Sequence, residues 1–403
     1  MDRGTGPLQI LETLHPPEAR TVRLDYRRGE GRRRFVLCRF SPPEAGLGRQ
    51  DLDRVATDAG PLTGAALYLL KRYYLDTPEA AAEAPARPAP DLARLPAPVA
   101  YGAQQFLSGL PRLGIYALLA AAYALTFGLV GRINLAFGEL AAIGAAAAGL
   151  GVAALSGGTG PLALALGGGL VLATAAGGLH GFVAGTAAFR LVPARAGQAS
   201  LVATIGIALA LTEYLRQAGG PRATWIPPLG GLPAEIARAG DFTLTLTAAT
   251  LATAGAGLVA AAALVFLMRR SGFGRAWRAS ADDPLAAALC GIDPARLSWT
   301  TFALSGALAG LAGALVALQY GSLGYAGGFA LGLKALTAAV LGGVGSVGGA
   351  VLGGLAIGLF ETLWSAYLPI DGRDLALHVL LVLLIVLGPE RSSMIPTSGA
   401  RTP

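Results

Sequence analysis

The sequence predicts an all-α polytopic membrane protein of about eight transmembrane helices plus a broken half-helix, behind a small α+β or partly disordered N-terminal extension. Three observations carry this. Residues 1–100 hold 15 Lys/Arg and 13 Asp/Glu, whereas residues 101–403 hold only 16 and 11, so charge thins about threefold along the chain. Of 58 glycines, 50 fall in that sparse part, a composition suited to close packing of membrane helices. The sparse part is also built of charge-free apolar runs near the length of a bilayer crossing.

Taken in order, residues 1–76 form an extension. Alternation over 21–26 and 35–40, separated by the turn chemistry of Arg28-Gly-Glu-Gly31, predicts a β-hairpin, and 62–74 a short helix. Residues 77–110 are a Pro/Ala-rich linker and lead-in segment, expected to stay extended and unpacked over 77–98. The transmembrane domain covers 111–390, and 391–403 is a tail. Cutting the apolar runs at their Gly/Pro breaks places spans near 113–131, 133–155, 162–189, 198–216, 247–268, 299–320 and 347–367, with a short one near 375–388. Residues 330–343 are apolar but too short to cross comfortably, hence the half-helix.

Arginine placement gives the orientation. The loop 269–298 holds Arg269, Arg270, Arg275, Arg278 and Arg296, and is assigned to the cytoplasm. Alternation then puts Arg132, Arg190 and Arg195 inside and 217–246 outside. Five spans precede the loop, so the chain enters the first from outside. No secretory signal opens the sequence, which sets the Arg-rich extension against the positive-inside tendency.

Several chemistries are disfavoured. Cys38 and Cys290 cannot build a disulfide framework, and His15, His180 and His378 are too scattered for a metal site. The net charge of +7 reflects basic loops and not a nucleic-acid surface. The only lysines, Lys71 and Lys334, lie in no phosphate-binding loop, so any ATP is hydrolysed by another chain. Asp282-Asp283 lacks further carboxylates at helical spacing, since position 286 is Ala and the next acid is Asp293, which argues against a Mg²⁺ site.

The basic loop is the most informative stretch. Asp283 before Pro284 gives an N-cap and a first-turn proline, and Gly291 stands where a glycine ends a helix, so 284–290 should be a short helix. Leu285, Ala288 and Leu289 fall on one small apolar face, fit either for a partner's groove or for lying on lipid headgroups. Among the spans, Glu139, with Asn134 and Gly138 near it, and Lys334, which opens an apolar half-helix running to the breaks at Gly342 and Gly343, are candidates for a solute path. They equally fit a packing role, bonded to backbone or to each other. His180 reads as a packed helix residue and Glu213 and Glu361 as interfacial. Gly306, Gly310 and Gly313 have the spacing of a close helix contact.

Three stretches together resemble the Liv-type permease subunit of bacterial branched-chain amino-acid ABC importers, over about residues 113–390. They are Gly131-Arg-Ile-Asn-Leu-Ala-Phe-Gly-Glu139, Gly274-Arg-Ala-Trp-Arg-Ala-Ser-Ala-Asp-Asp283 with Leu289-Cys-Gly-Ile292, and Lys334 through the repeated Gly-Gly to Gly354. The resemblance implies that the basic loop is a coupling helix that receives motion from cytoplasmic ATP-binding subunits, with Gly274, Arg275, Arg278, Ala279, Asp282 and Gly291 matching the family pattern. Asn134, Gly138, Glu139, Lys334 and Gly342 match its membrane motifs. It further implies a second permease subunit, a soluble substrate-binding protein, no cofactor in this chain because ATP and Mg sit in the partners, and a multi-pass place in the bacterial inner membrane. The extension lies outside the family core. The expected function is a permease for branched-chain or related small amino acids, and not an enzyme. The same machine with urea or short amides as cargo is the alternative, and an autonomous channel or secondary transporter a more distant one.

Overall fold

The computed structural model describes residues 8–14, 21–28, 34–40, 52–57, 60–62, 70, 92–156, 162–190, 197–219, 233–240, 242–322, 324, 327–343 and 345–387. The chain divides into two compact units, Met1–Pro90 and Asp91–Pro403. In the first, five strands form an antiparallel sheet in chain order: β1 (Leu8–Leu14), β2 (Thr21–Arg28), β3 (Arg34–Phe40), β4 (Leu52–Thr57) and β5 (Gly60–Pro61). The expected hairpin is β2–β3, with Thr21 opposite Arg39 and Tyr26 opposite Arg34. Most of the helix expected over 62–74 and of the linker over 77–98 lies outside the described residues, as does the tail 391–403.

The second unit is helical, with α1 (Ala97–Val130), α2 (Phe137–Ser156), α3 (Leu162–Arg190), α4 (Gly197–Gly219) and α5 (Ala248–Arg270) before the basic loop. The loop carries α6 (Gly272–Asp282) and α7 (Pro284–Leu289), followed by α8 (Pro294–Tyr320), α9 (Gly327–Gly342), α10 (Val347–Tyr367) and α11 (Arg373–Leu387). Among the described residues, seven helices are long and apolar enough to cross a membrane, and α9 is a shorter apolar one. At 15 residues, about 22 Å, α11 is shorter than a typical hydrocarbon core.

Two boundaries differ from the sequence reading. The first span starts at Ala97 and runs 34 residues with Pro111 inside it, because a charge-free criterion stops at Arg112 whereas the helix does not. Its extra turns are held by tertiary bonds: the Tyr101 hydroxyl donates to the Ala366 carbonyl at 2.9 Å, and the Thr245 amide donates to Gln104 Oε1 at 2.8 Å. The outside loop expected over 217–246 contains a hairpin, β7 (Ala234–Ala239) and β8 (Phe242–Leu246), to which β6 (Ala93–Arg94) adds in parallel.

Glycine sets the core spacing. A Cβ on Gly306 would overlap the backbone of Gly177, one on Gly310 that of Ala173, and one on Gly313 that of Ala141, so α8 meets α3 and α2 backbone to backbone. On α10, Gly354 and Gly358 do the same against α1 at Tyr116–Ala117 and Leu113. The contacts also fix relative direction. Gln104 meets Thr245, Gly114 meets Ala254 and Gly257, and Leu125 meets Trp277, so α1 and α5 run parallel. The start of α1 therefore lies at the end of the bundle opposite the basic loop, as the alternation of spans requires.

Candidate coupling surface and buried polar sites

The basic loop is rigidly attached at one half and bare at the other. Ser271 closes α5 and opens α6, its Oγ accepting the Gly274 amide at 3.0 Å. Gly274 is required there, because a Cβ would run into the Met268 carbonyl at the end of α5. Arg278 donates to that same carbonyl at 2.5 Å, satisfying a group that a helix end leaves open. Trp277 is 4% exposed and its indole N–H donates to the Leu125 carbonyl of α1 at 2.9 Å, packed with Leu264, Met268, Leu297 and Val347. Arg275, Ala279 and Asp282 are exposed along the same helix.

The short helix forms as its sequence dictates. Asp283 Oδ1 accepts the amides of Leu285 at 2.9 Å and Ala286 at 3.0 Å, Pro284 takes the first turn, and Gly291 adopts φ +87° just beyond the end. The helix covers Pro284–Leu289, one residue shorter than expected, with Cys290 as its C-cap. Ala287 faces inward at 4% exposure, while Leu285 and Leu289 are 72% and 83% exposed. Asp293 caps the start of α8 in the same manner, four residues beyond the end of the short helix.

The polar residues of the spans fall into two separate groups. Asn134 caps the turn into α2: its Oδ1 accepts the Ala136 amide at 3.1 Å, and its own amide donates to the Tyr123 hydroxyl at 3.1 Å. Gly138 brings α2 onto α9, since a Cβ there would overlap Gly328 and Gly332. Glu139, 1% exposed, thereby places its carboxylate against the start of α9 beside Gly328 and near Phe329, with Thr212 of α4 close by, and among the described residues its Oε2 has no hydrogen-bond partner. The positive end of a helix dipole is a favourable place for that charge.

Lys334 belongs to the other group. Its Nζ lies 2.6 Å from Glu361 Oε1 and 3.1 Å from Asp374 Oδ1, and the Tyr116 hydroxyl donates to Glu361 Oε2 at 2.7 Å. Glu361 is 1% exposed, so the interfacial reading of that residue is corrected: its bonds to Tyr116 of α1 and Lys334 of α9 hold it inside the bundle. Glu213, by contrast, is only partly buried, its side chain 45% exposed, and pairs with Arg216. Gly342 packs on Gly349 and Ala350 of α10, and Gly343 turns the chain with φ +92°. Glu139 and Lys334 thus bind different partners and not each other. Missed from sequence were Trp277, Tyr116, Glu361 and Asp374. The spacing of Phe273, Trp277 and Ser280 along one face was the available sign of the first.

Comparison with known proteins adds to this geometry. The family described as branched-chain amino acid transport system, permease component, matches residues 105–388. The high-affinity branched-chain amino acid transport system permease protein LivH of Escherichia coli K12 is 35% identical over 294 residues, covering 72% of this chain and 94% of that protein. LivH of Salmonella typhimurium is 33% identical over 290 residues, with 72% and 94% covered. BraD of Pseudomonas aeruginosa, described in the same words, is 30% identical over 295 residues, with 71% and 94% covered. No solved structure matches. The matched residues begin after the five-stranded unit, which therefore lies outside the shared part. With its spanning helices and loop in this arrangement, the chain is a multi-pass inner-membrane protein that belongs to the family of branched-chain amino acid transport permeases.

Proposed function

We propose that this chain is the permease half of an ATP-driven importer for branched-chain or related small amino acids, and that α7 is the element on which its cytoplasmic ATPase subunits act. The observation that carries this reading is the pair Leu285 and Leu289, exposed on a capped helix that is seated through the buried Ala287. Two leucines in water on a rigid helix are a stable protein's usual sign of a docking face. A push on α7 passes through Asp283 into α6, and from Trp277 and Arg278 into α1 and α5, both of which traverse the bundle. ATP and Mg²⁺ are bound by the partners. A second permease subunit completes the pathway, and a soluble binding protein delivers cargo. Relatives named for branched-chain amino acid transport support the cargo class.

The test is Leu285→Asp and Leu289→Asp in the assembled transporter. Because both side chains are exposed, thermal stability of the purified chain should stay within about 2 °C of wild type. Co-purification of the ATPase subunits should fall by about a hundredfold, as for loss of two interface anchors, and amino-acid uptake should stop. Uptake at the wild-type rate would remove α7 from the coupling role.

A further inference from the structure

The charged group around Lys334 has features that packing alone does not require. Twenty-nine of the 31 basic residues in this chain are arginine, yet the cation set between α9, α10 and α11 is a lysine. Arginine would grip a carboxylate with two parallel bonds, whereas an ammonium is a compact charge that can exchange one carboxylate for another. The two carboxylates on Lys334 are unequal. Glu361 is buried and held a second time by the Tyr116 hydroxyl, while the Asp374 side chain is 55% exposed. Asp374 also keeps Arg373 as a partner, Nε to Oδ1 at 3.3 Å. Opening the Lys334–Asp374 contact therefore leaves Lys334 paired with Glu361, and Asp374 paired with Arg373 and water. An exposed ion pair of this kind is weak, whereas breaking the Glu361 arm would strand a buried charge.

We propose that Lys334 and Asp374 form a gate for zwitterions: a passing amino acid inserts between them, its α-carboxylate taking the place of Asp374 on Lys334 and its α-ammonium pairing with Asp374. Glu361 and Tyr116 position Lys334 and stay bonded throughout. Each side chain keeps its charge and exchanges one partner for another of the same sign, so no proton moves. The gate distinguishes an amino acid from urea or a simple amide, which offer no separated pair of charges. It rests on the amino-acid importer reading above and names the chemistry by which that importer's membrane part recognises cargo.

The experiment uses the complete transporter in liposomes with leucine as the probe, counting turnover per assembled complex. Asp374→Asn should reduce leucine uptake about tenfold or more, the loss expected for one charged hydrogen bond. Basal ATP hydrolysis and leucine binding by the soluble partner should be unchanged, and Asp374→Glu should restore uptake. Lys334→Met should abolish uptake, but it also disturbs folding, so the decision rests on the exposed Asp374. Wild-type turnover in Asp374→Asn overturns the gate while leaving the importer reading intact. Failure of the wild-type complex to take up leucine with ATP overturns that reading itself. Loss of uptake in Asp374→Asn that Asp374→Glu does not recover also counts against the gate.

Discussion

The bundle and the basic loop both rely on small residues, to opposite ends. In the bundle, Gly306, Gly310 and Gly313 remove side chains so that backbones meet, and the large groups fill the space around those contacts. In α7, Ala287 lets the helix sit close to its support, and the large groups, Leu285 and Leu289, are turned outward. The first arrangement spends its surface on internal contact and the second keeps it for another molecule. Internal stability should therefore be concentrated in the one and docking of partner subunits in the other. The comparison teaches that glycine and alanine content alone says little until the direction of the neighbouring large side chains is known.

Three substitutions break or sharpen the contrast, in descending order of effect. Lys334→Met removes the cation from a carboxylate that is 1% exposed and should cost about 3–5 kcal/mol, measured by unfolding in mixed micelles. Adding Glu361→Gln to it should recover part of that loss. Gly313→Leu forces a side chain into the Ala141 backbone and should cost about 3 kcal/mol in the same assay, with lower yield of inserted protein. A cost below about 1 kcal/mol would mean that α2 and α8 can separate there without penalty. Asp283→Ala deletes two cap bonds on α7 and should cost about 1 kcal/mol locally. Amide exchange at Leu285 and Ala286 should quicken while global unfolding stays put. An unchanged exchange rate would show that the helix is held by its contacts and not by its cap.

Much of this was legible along the chain because the signals are local. The cap at Asp283, the first-turn proline at Pro284 and the ending at Gly291 each act within one helical turn, so their outcome follows from neighbours in sequence. The span positions followed from apolar runs for the same reason, and the one that shifted, α1, did so where two distant bonds, Gln104 to Thr245 and Tyr101 to Ala366, hold the helix on the far side of Arg112. The partners of the buried charges were not legible. Glu361 lies 27 residues from Lys334 and 245 from Tyr116.

By itself, then, the sequence determined the membrane class, the helix order, the short capped helix in the loop and its apolar face. Only the tertiary structure decided which way Trp277 and the two leucines point, that Glu139 faces the start of α9, and that Lys334 is shared between Glu361 and Asp374. The physical reason is range. Capping and hydropathy are settled within a turn or a span, whereas the cost of burying a charge is met only when packing brings a partner from elsewhere in the chain.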